Sequence, residues 1–318
     1  MDWLTQIFTA WQQALFESAT QPLLQALGLS NLLEDGYEAT AWLMLGILQI
    51  IILLAVIGPM QRWRPVDAVT DRATIRTDVL YTLIHRLGLF RVVLFFTLEP
   101  WFDEAFGALR AACYGTFHID QVWPGVTDVA IVSLLIYLVV FDFVGYWVHR
   151  GQHQLEWWWR LHSLHHAQRQ MTMWSDNRNH LLDDVLVDTS VVLVAQLIGV
   201  APGQFIAVVF LTQLSESFQH ANLRLWFGTV GERLWVSPRF HRLHHSIGMG
   251  HESSGKNTLG GSNFGILLPW WDMMFKTANF EQRYDPTGVR DQLENNRDYG
   301  RGFWAQQWLG LKRLAGRA

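Results

Sequence analysis

Residues 129–166 read VAIVSLLIYLVVFDFVGYWVHRGQHQLEWWWRLHSLHH. The first 20 of these residues are mostly apolar and contain one charge, Asp142, and a helix of about 20 apolar residues crosses the hydrocarbon core of a bilayer. The next 18 residues hold five of the chain's 13 histidines, where an even distribution would place fewer than one. The stretch therefore predicts a membrane-spanning helix that leads directly into a histidine-rich segment at the membrane surface.

The histidines are grouped along the chain. Eight of the 13 fall in three clusters, which read HRGQH at 149–153, HSLHH at 162–166 and HRLHH at 241–245. Residues three and four apart share one face of a helix, so each cluster can direct its imidazoles to a common point. Imidazole is the commonest side-chain metal ligand and suits both iron and zinc. The clusters therefore predict a polyhistidine site for two metal ions.

The composition is typical of a membrane protein. Of the 318 residues, 50% are hydrophobic and only 16% are charged, and several of the 17 tryptophans lie at the ends of apolar runs. The net charge of -4 gives no indication of nucleic-acid binding. The single Cys113 excludes an internal disulfide and CxxC chemistry, and no basic segment of a cleaved signal peptide opens the chain. An integral membrane protein is therefore favoured over a soluble helical bundle.

Three further apolar segments are candidate membrane elements. Residues 41–57 form a clean span that Gly58-Pro59 closes, whereas residues 78–100 form a span that carries charged groups. Residues 185–214 are interrupted at Pro202-Gly203, which leaves arms of 17 and 11 residues, or roughly 26 and 16 Å of helix. Because the second arm is too short to cross, this segment is predicted to be a hairpin that enters and leaves on the same side.

The charge distribution predicts the orientation of these segments. Residues 1–61 contain no lysine or arginine, whereas the loop after the first span is basic and so is the C-terminal tail. Basic loops usually stay in the cytosol, so the histidine clusters are expected at the cytosolic face and the N-terminus outside. Spaced apolar residues within 1–36 predict an amphipathic helix on the outer surface. The basic residues are Arg62, Arg64, Arg72 and Arg76 in the loop and Lys312, Arg313 and Arg317 in the tail.

Three other residues are placed near the clusters by their spacing. Asp142 lies two helical turns before His149 on the same side, where it is expected to accept a hydrogen bond from a ligand imidazole. His180 and His220 flank the predicted hairpin, whose two ends should meet on the cytosolic side. Both histidines are therefore candidate ligands.

These motifs resemble those of the fatty acid hydroxylase (sterol desaturase) superfamily of membrane non-haem dimetal oxygenases. The resemblance covers about residues 140–280, and it implies a histidine-bound diiron centre, dioxygen as oxidant and hydroxylation of a lipid C–H bond. The motifs that carry it are YWVHRxxH at 146–153, HxxHH at 162–166, RxH at 178–180, QHAN at 219–222, HRLHHS at 241–246 and the segment NFG at 263–265 with Trp271, Asp272 and Phe275.

The resemblance also implies a ligand set. Some members carry a second histidine four residues from the counterpart of His220, where this chain has Glu216 and Arg224. An arginine stays protonated and offers no lone pair, so His180, Glu216 or water is expected to complete the shell. Asn222 and Asp272 are expected, like Asp142, to contact the ligand histidines and not the metal ions. The implied ligands are His149, His153, His162, His165, His166, His220, His241, His244 and His245.

The sequence thus predicts an all-α fold, an integral membrane helical bundle with a cytosolic-face polyhistidine dimetal site. Residues 1–127 would hold the amphipathic helix and two transmembrane helices, 128–280 the hydroxylase-like catalytic region and 281–318 a basic tail. Hydroxylation of a sterol, a fatty acyl chain or a related lipid is the first hypothesis. A lipid desaturase of the same chemistry and a non-enzymatic membrane metal-binding protein are the alternatives.

The expected partners follow from this chemistry. The site would bind two iron ions, with zinc an alternative in purified protein, and no haem, flavin or iron–sulfur motif is visible. Electrons would therefore come from an external ferredoxin or reductase. The expected location is a bacterial inner membrane, and a homo-oligomer is left open.

Overall fold

The computed structural model describes residues 2–112, 114–247 and 260–318, so Cys113 and residues 248–259 lie outside the described residues. Within these ranges every regular element is a helix, and the one β-contact is an isolated bridge between Ser246 and Thr287. The predicted all-α class is therefore confirmed. The short helices that complete the chain are α12 (Gly228–Gly231), α14 (Trp270–Met274) and α15 (Asp291–Glu294).

The N-terminal helices pack beside the first long apolar helix. Helix α1 (Asp2–Leu15) leads through a π-helical turn, Phe16–Thr20, into α2 (Gln21–Ala26). A 3₁₀ turn at Ser30–Leu32 then opens α3 (Leu33–Ile52), and the Gln12 side chain binds the Tyr37 carbonyl across the α1–α3 contact. The opposite face of α1 exposes an apolar stripe of Trp3, Ile7 and Trp11.

The first span is longer than its apolar core. Helix α3 continues through a π-helical turn, Leu53–Ile57, into α4 (Gly58–Trp63), which gives a 34-residue span, Ser30–Trp63. The apolar run ends at Gly58-Pro59, but the helix continues beyond it to Trp63. A proline lacks an N–H donor and clashes within a regular helix, but here it falls in the first turn of α4, directly after the wider π-turn.

The second long apolar helix is α8 (Ala130–Gln154), which also has the length and composition to cross a membrane. The predicted span 78–100, in contrast, is not one straight helix. Helix α5 (Arg72–Arg86) and α6 (Leu89–Thr97) meet at an angle of 50°. Gly88 lies at the bend with a φ of +79°, a conformation that glycine adopts without strain. Helix α7 (Glu99–Ala111) follows.

Helices α10 (Leu181–Leu197) and α11 (Pro202–Gln219) form the predicted hairpin. The second arm was predicted to be short, and this is wrong. Pro202 starts α11 instead of interrupting it, so the arm has 18 residues and a length of about 27 Å. The turn between the arms contacts residue 117, because the Phe117 N–H donates to the Leu197 carbonyl at 3.0 Å. Residues 116–121, which include a 3₁₀ turn at Ile119–Gln121, and residues 198–201 define the far end of the bundle.

The opposite end, here called the histidine end, carries α9 (Glu156–His166) and α13 (Pro238–His244). The basic loop after the first span lies at this end, since the Asn222 amide oxygen accepts from the Val66 and Asp67 N–H groups and Arg242 pairs with Asp67. Helix α16 (Phe303–Leu314) packs against α9, where Arg313 Nε donates to the Arg160 carbonyl. The basic loop, the basic tail and the histidine clusters therefore share one end.

Candidate metal centre

Nine histidines from four elements converge at the histidine end, and all of them are buried. Helix α8 continues without a break to Gln154, so His149 and His153 lie one turn apart on the same face. Helix α9 turns back at Leu155 and presents the second cluster to the first. His220 caps α11, and α13 supplies the third cluster. The structure thus brings together all of the ligands implied by the sequence, namely His149, His153, His162, His165, His166, His220, His241, His244 and His245.

The imidazoles divide into two groups. In the first, one ring nitrogen from each of His149, His153, His162 and His166 lies within 4.8 Å of the others. His244 belongs on the same side, because its Nε2 is 3.1 Å from Nε2 of His166. His244 thus adds a fifth imidazole beside the first group, and it also forms a close set with His166 and His245.

The second group consists of His165, His220, His241 and His245. Nε2 of His220 lies 3.1 Å from Nε2 of both His165 and His241, and Nε2 of His241 lies 3.1 Å from that of His245. The two groups touch, since the His166 and His245 rings stack with their centroids 4.2 Å apart. The arrangement therefore offers two adjacent metal positions.

Hydrogen bonds alone do not explain this convergence. Nδ1 of His220 donates to the Glu216 carbonyl at 2.8 Å, so Nε2 carries the lone pair. One in-plane lone pair accepts one hydrogen bond, yet two other Nε2 atoms lie at 3.1 Å from it. A cation between the Nε2 atoms would satisfy all of them at once. The residues present therefore fit a histidine-bound metal.

Outward hydrogen bonds orient three more imidazoles in the same way. Nδ1 of His149 donates to the Phe264 carbonyl at 2.9 Å, and Nδ1 of His244 donates to the Ser262 carbonyl at 2.7 Å. Nδ1 of His162 donates to the Asp183 carboxylate at 3.0 Å. An outer Nδ1–H bond of this kind fixes the tautomer whose Nε2 lone pair faces inward, as metal-binding histidines require.

Burial also favours the neutral form of the rings. Desolvation lowers the pKa of His165, His241 and His245 well below the ordinary histidine value, and the neighbouring imidazoles lower it further. A neutral imidazole is the metal-binding form, because a protonated ring has no free lone pair. The centre is therefore poised to accept metal ions.

Asp183 lies in the first turn of α10 and is buried. The structure makes it the carboxylate partner of His162. Its other oxygen accepts hydrogen bonds from Gln152 Nε2 at 2.8 Å and from Trp158 Nε1 at 2.7 Å. The carboxylate is fully enclosed, so its three bonds hold the α8, α9 and α10 ends together around the first group.

Asp272 acts on the first group through a peptide unit. Its carboxylate accepts from the N–H groups of Phe264 and Gly265 at 2.9 and 2.7 Å, and the Phe264 carbonyl in turn receives the His149 Nδ1–H bond. A Cβ on Gly265 would lie 2.9 Å from the Asp272 carboxylate, so the glycine permits this close approach. Asp272 thus positions His149 indirectly, through the peptide group between Phe264 and Gly265.

Asp142 differs from its expected role. It does not receive a hydrogen bond from a ligand imidazole, because its carboxylate accepts from the N–H groups of Leu267 and Leu268 and from Trp271 Nε1. These bonds fix the segment that follows Phe264. Asn222 likewise binds the loop at residues 66–67 and not a ring.

His180 and Glu216 were the candidates to complete the ligand shell, and both side chains lie outside the two groups. His180 caps α10, with its Nδ1 accepting from the Leu182 N–H and its Nε2 donating to the Gln307 carbonyl. Both of its nitrogens are therefore already used. Glu216 serves the centre through its backbone carbonyl, which binds His220, while its side chain lines a cavity.

That cavity has a volume of about 1340 Å³ and connects the centre to the far end of the bundle. It runs between α8, the hairpin and the bent α5–α6 pair, and reaches Thr116 and His118. Its inner end is lined by five of the histidines, His149, His162, His165, His220 and His241.

Comparison with known proteins agrees with this geometry. Residues 134–277 match the fatty acid hydroxylase family. This part of the chain is similar to a fatty acid hydroxylase domain. It contains α9, α10, α11, α13 and most of α8, and thus every histidine of both groups. The superfamily resemblance inferred from the motifs is therefore confirmed.

Three characterised relatives are similar at low identity. The ornithine lipid hydroxylase OlsE of Rhizobium tropici is 24% identical over 238 residues, which cover 74% of this chain and 67% of that protein. Alkylglycerol monooxygenase of Caenorhabditis elegans is 25% identical over 146 residues, 46% of this chain and 26% of the relative. The fatty acid hydroxylase vlmA of Lecanicillium sp is 25% identical over 176 residues, 50% of this chain and 45% of the relative. No solved structure matches the chain.

Proposed function

We propose that this protein is a membrane-bound oxygenase that hydroxylates a C–H bond of a lipid at two iron ions held by the nine histidines. The observation that carries the proposal is the position of buried histidines of both imidazole groups in the lining of a large cavity. The three relatives are named as hydroxylases or monooxygenases, and their names include lipids and an alkylglycerol. A protein that only stored metal would have no need of such a cavity.

The reaction must balance in atoms and electrons. One oxygen atom of O₂ enters the C–H bond, and the other leaves as water with two protons and two electrons from outside (R–H + O₂ + 2 e⁻ + 2 H⁺ → R–OH + H₂O). When bound, the two iron ions would supply the activation of dioxygen that side chains alone cannot provide. We propose a ferredoxin or reductase as the electron donor.

The chain's own residues would hold, orient and shield the reacting groups. The first group would hold one metal ion with five imidazoles and the second group another with four, with Asp183 and the Phe264 carbonyl fixing ring orientation. The apolar side chains of Phe141, Val191 and Val208 line the cavity and suit a lipid chain. Burial of the histidines would exclude bulk water from the reacting groups.

We further propose that the histidine end faces the cytosol of a bacterial inner membrane. The basic loop and basic tail share that end with the clusters, which is what the positive-inside rule favours for a cytosolic face. This placement would let a soluble donor reach the metals while the lipid enters from the membrane. Residues 128–280 would form the catalytic unit, with 1–127 and 281–318 packed around it.

Labelling with ¹⁸O₂ tests the function. Cells that express the wild-type protein with a donor system should accumulate a lipid that has gained one oxygen atom carrying the label, and His149→Ala should abolish this product. Gln154→Ala changes an exposed neighbour on the same helix and should leave product formation intact. Folded, metal-loaded protein that yields no labelled lipid, or a product whose oxygen comes from water, would contradict the proposal.

A further inference from the structure

Along both arms of the hairpin, the residues that line the cavity change from charged or polar to apolar with increasing distance from the histidine end. On α10, Asp184 and Asp188 line it within the first two turns from the histidine end, and apolar residues such as Val191 follow. On α11 the order read from the histidine end is Glu216, Gln213 and then Val209 and Val208. The bent α5–α6 pair contributes His85 and Arg91 to the same section of the lining. Besides the Arg86–Asp176 ion pair, the charged residues that these four helices contribute to this section include His85, Arg91, Asp184, Asp188 and Glu216.

Two of these side chains, Arg91 and Asp188, have no ion-pair partner in the described part of the chain. His85 and Asp184, in contrast, approach within 3.4 Å of each other. Among the described residues, neither Arg91 nor Asp188 has an oppositely charged group within 4.0 Å. Asp188 follows Asp184 by one turn of α10, and Arg91 follows His85 just beyond the bend at Gly88, so both side chains lie near the His85–Asp184 contact. Both side chains therefore line the cavity without forming an ion pair with each other.

Arg91 is fixed on its side of this gap by an aromatic ring. Its Cζ lies 3.7 Å from the Trp42 ring centroid, well inside the range of a cation–π contact. Trp42 packs in turn edge-on against Phe205 of the opposite cavity wall. An ionised group among apolar side chains is costly unless it is paired. A cation held by an aromatic ring and an unpaired carboxylate in the lining of the same cavity suit a ligand that carries both charges.

We propose that Arg91 and Asp188 form a subsite for the zwitterionic head group of a lipid. An ammonium group of the head would bind Asp188, and a carboxylate or phosphate of the same head would bind Arg91. The apolar section beyond, around Val191 and Val208, would receive the hydrocarbon chain. This inference rests on the proposed function, because it assigns the substrate class of the same cavity.

The subsite has a consequence for the position of oxidation. Asp183, which holds His162, and Asp188 are five residues apart on α10, or about 7.5 Å of helix. The head group would therefore lie between the metals and the tail. The oxidised carbon should belong to the head group or to the carbons next to it, and not to the distal part of the chain.

Binding to the purified full-length protein in detergent tests the subsite without any turnover. The probes share one lauroyl or dodecyl chain and differ in charge. Two are zwitterions from different sources, Nα-lauroyl-ornithine and lauroyl-lysophosphatidylethanolamine, and the others are laurate, dodecylamine and monolauroylglycerol. Wild-type protein should bind at least one zwitterion about tenfold or more tighter than monolauroylglycerol, since bonds to charged groups are worth this much. The preferred zwitterion identifies the anionic half as carboxylate or phosphate.

Two substitutions separate the two halves of the subsite. Asp188→Asn should weaken binding of the zwitterion and of dodecylamine by about tenfold but leave laurate unchanged. Arg91→Gln should weaken the zwitterion and laurate by a similar factor but leave dodecylamine unchanged. The controls Glu104→Gln and Arg110→Gln remove the same charges from exposed positions on α7 outside the cavity lining, and should change nothing.

Equal affinity of wild-type protein for the zwitterions and monolauroylglycerol would overturn the subsite, and so would variants without this crossed pattern. If one variant fails to fold, the other variant and the wild-type ranking still decide. A failure of the proposed oxygenase function can be distinguished from a failure of the subsite. Charge-selective binding without any hydroxylated product would leave the subsite standing and remove the oxygenase. Hydroxylation of a zwitterionic lipid by the Arg91 and Asp188 variants at the wild-type rate and with the wild-type KM would do the reverse.

Discussion

Replacing Asp183 by asparagine should cost the first group one of its ligands. One carboxylate oxygen accepts from Gln152 and Trp158, and the other accepts from His162 Nδ1. The two donors at the first oxygen would hold the asparagine carbonyl in that position. Its NH₂ group would then face the Nδ1–H of His162, and two donors cannot bond to each other.

The imidazole of His162 would respond by moving its proton to Nε2 or by rotating. Either change removes the inward lone pair that a metal ion needs. Loss of a carboxylate that orients a metal-binding histidine typically costs about 10- to 100-fold in metal affinity, which corresponds to about 1.4–2.7 kcal/mol. The isosteric change keeps the volume of the buried side chain, so the loss should appear in metal binding more than in folding.

The assay is a chelator titration of purified protein with elemental analysis at each step. Asp183→Asn should release one metal ion per chain at about 10- to 100-fold lower chelator concentration than the wild type. Glu156→Gln is the matched control, because it neutralises a half-exposed carboxylate that lies 3.6 Å from Arg160 on the same helix as His162. If Asp183→Asn retains both metals as firmly as the control, the orientation argument for His162 is wrong.

Three further predictions concern packing, the ligand set and orientation. A Cβ on Gly46 would lie 1.6 Å from the Arg86 carbonyl oxygen, so Gly46→Ala should lower the free energy of unfolding by about 1–3 kcal/mol or more. A Cβ on Gly107 would have no atom within 4 Å, so the control Gly107→Ala should be neutral or slightly stabilising. Thermal denaturation compares the two variants. His180→Ala should retain both metals while His162→Ala should not, since His180 is committed to the α10 cap and Gln307; loss of metal from His180→Ala would return it to the ligand set. In a Cys113→Ser background, cysteine at Ser30 should react with an impermeant reagent from outside the cell and cysteine at Gln154 only after lysis, and the reverse result would overturn the orientation.

The convergence of the histidines was predictable because it depends on local spacing. His149 and His153 lie one turn apart on one helix, and the two HxxHH clusters follow the same rule. Periodicity could not show which carboxylate would reach a ring. Asp142 lies on the correct side of α8, but the loop after Phe264 folds back and occupies it with backbone N–H groups.

Long-range contacts account for the other differences. Asp183 and Asp184 are neighbours at the start of α10, and only the packing of α8 and α9 sends one to His162 and the other to His85. The break in the span predicted at 78–100 depends on the left-handed Gly88. The length of α11 was underestimated because apolarity ends near residue 214, whereas the helix continues through Ser215 and Glu216 to place His220.

The most direct test of the central claim is the metal content of the detergent-purified protein by elemental mass spectrometry, compared with His149→Ala and His245→Ala. These variants remove one ligand from the first and the second group respectively. The dimetal account predicts about two iron ions per wild-type chain, and fewer in each variant because each removes one ligand. Wild-type protein that is folded and membrane-inserted but holds no metal, or that holds two metals even when both variants are combined, would contradict it.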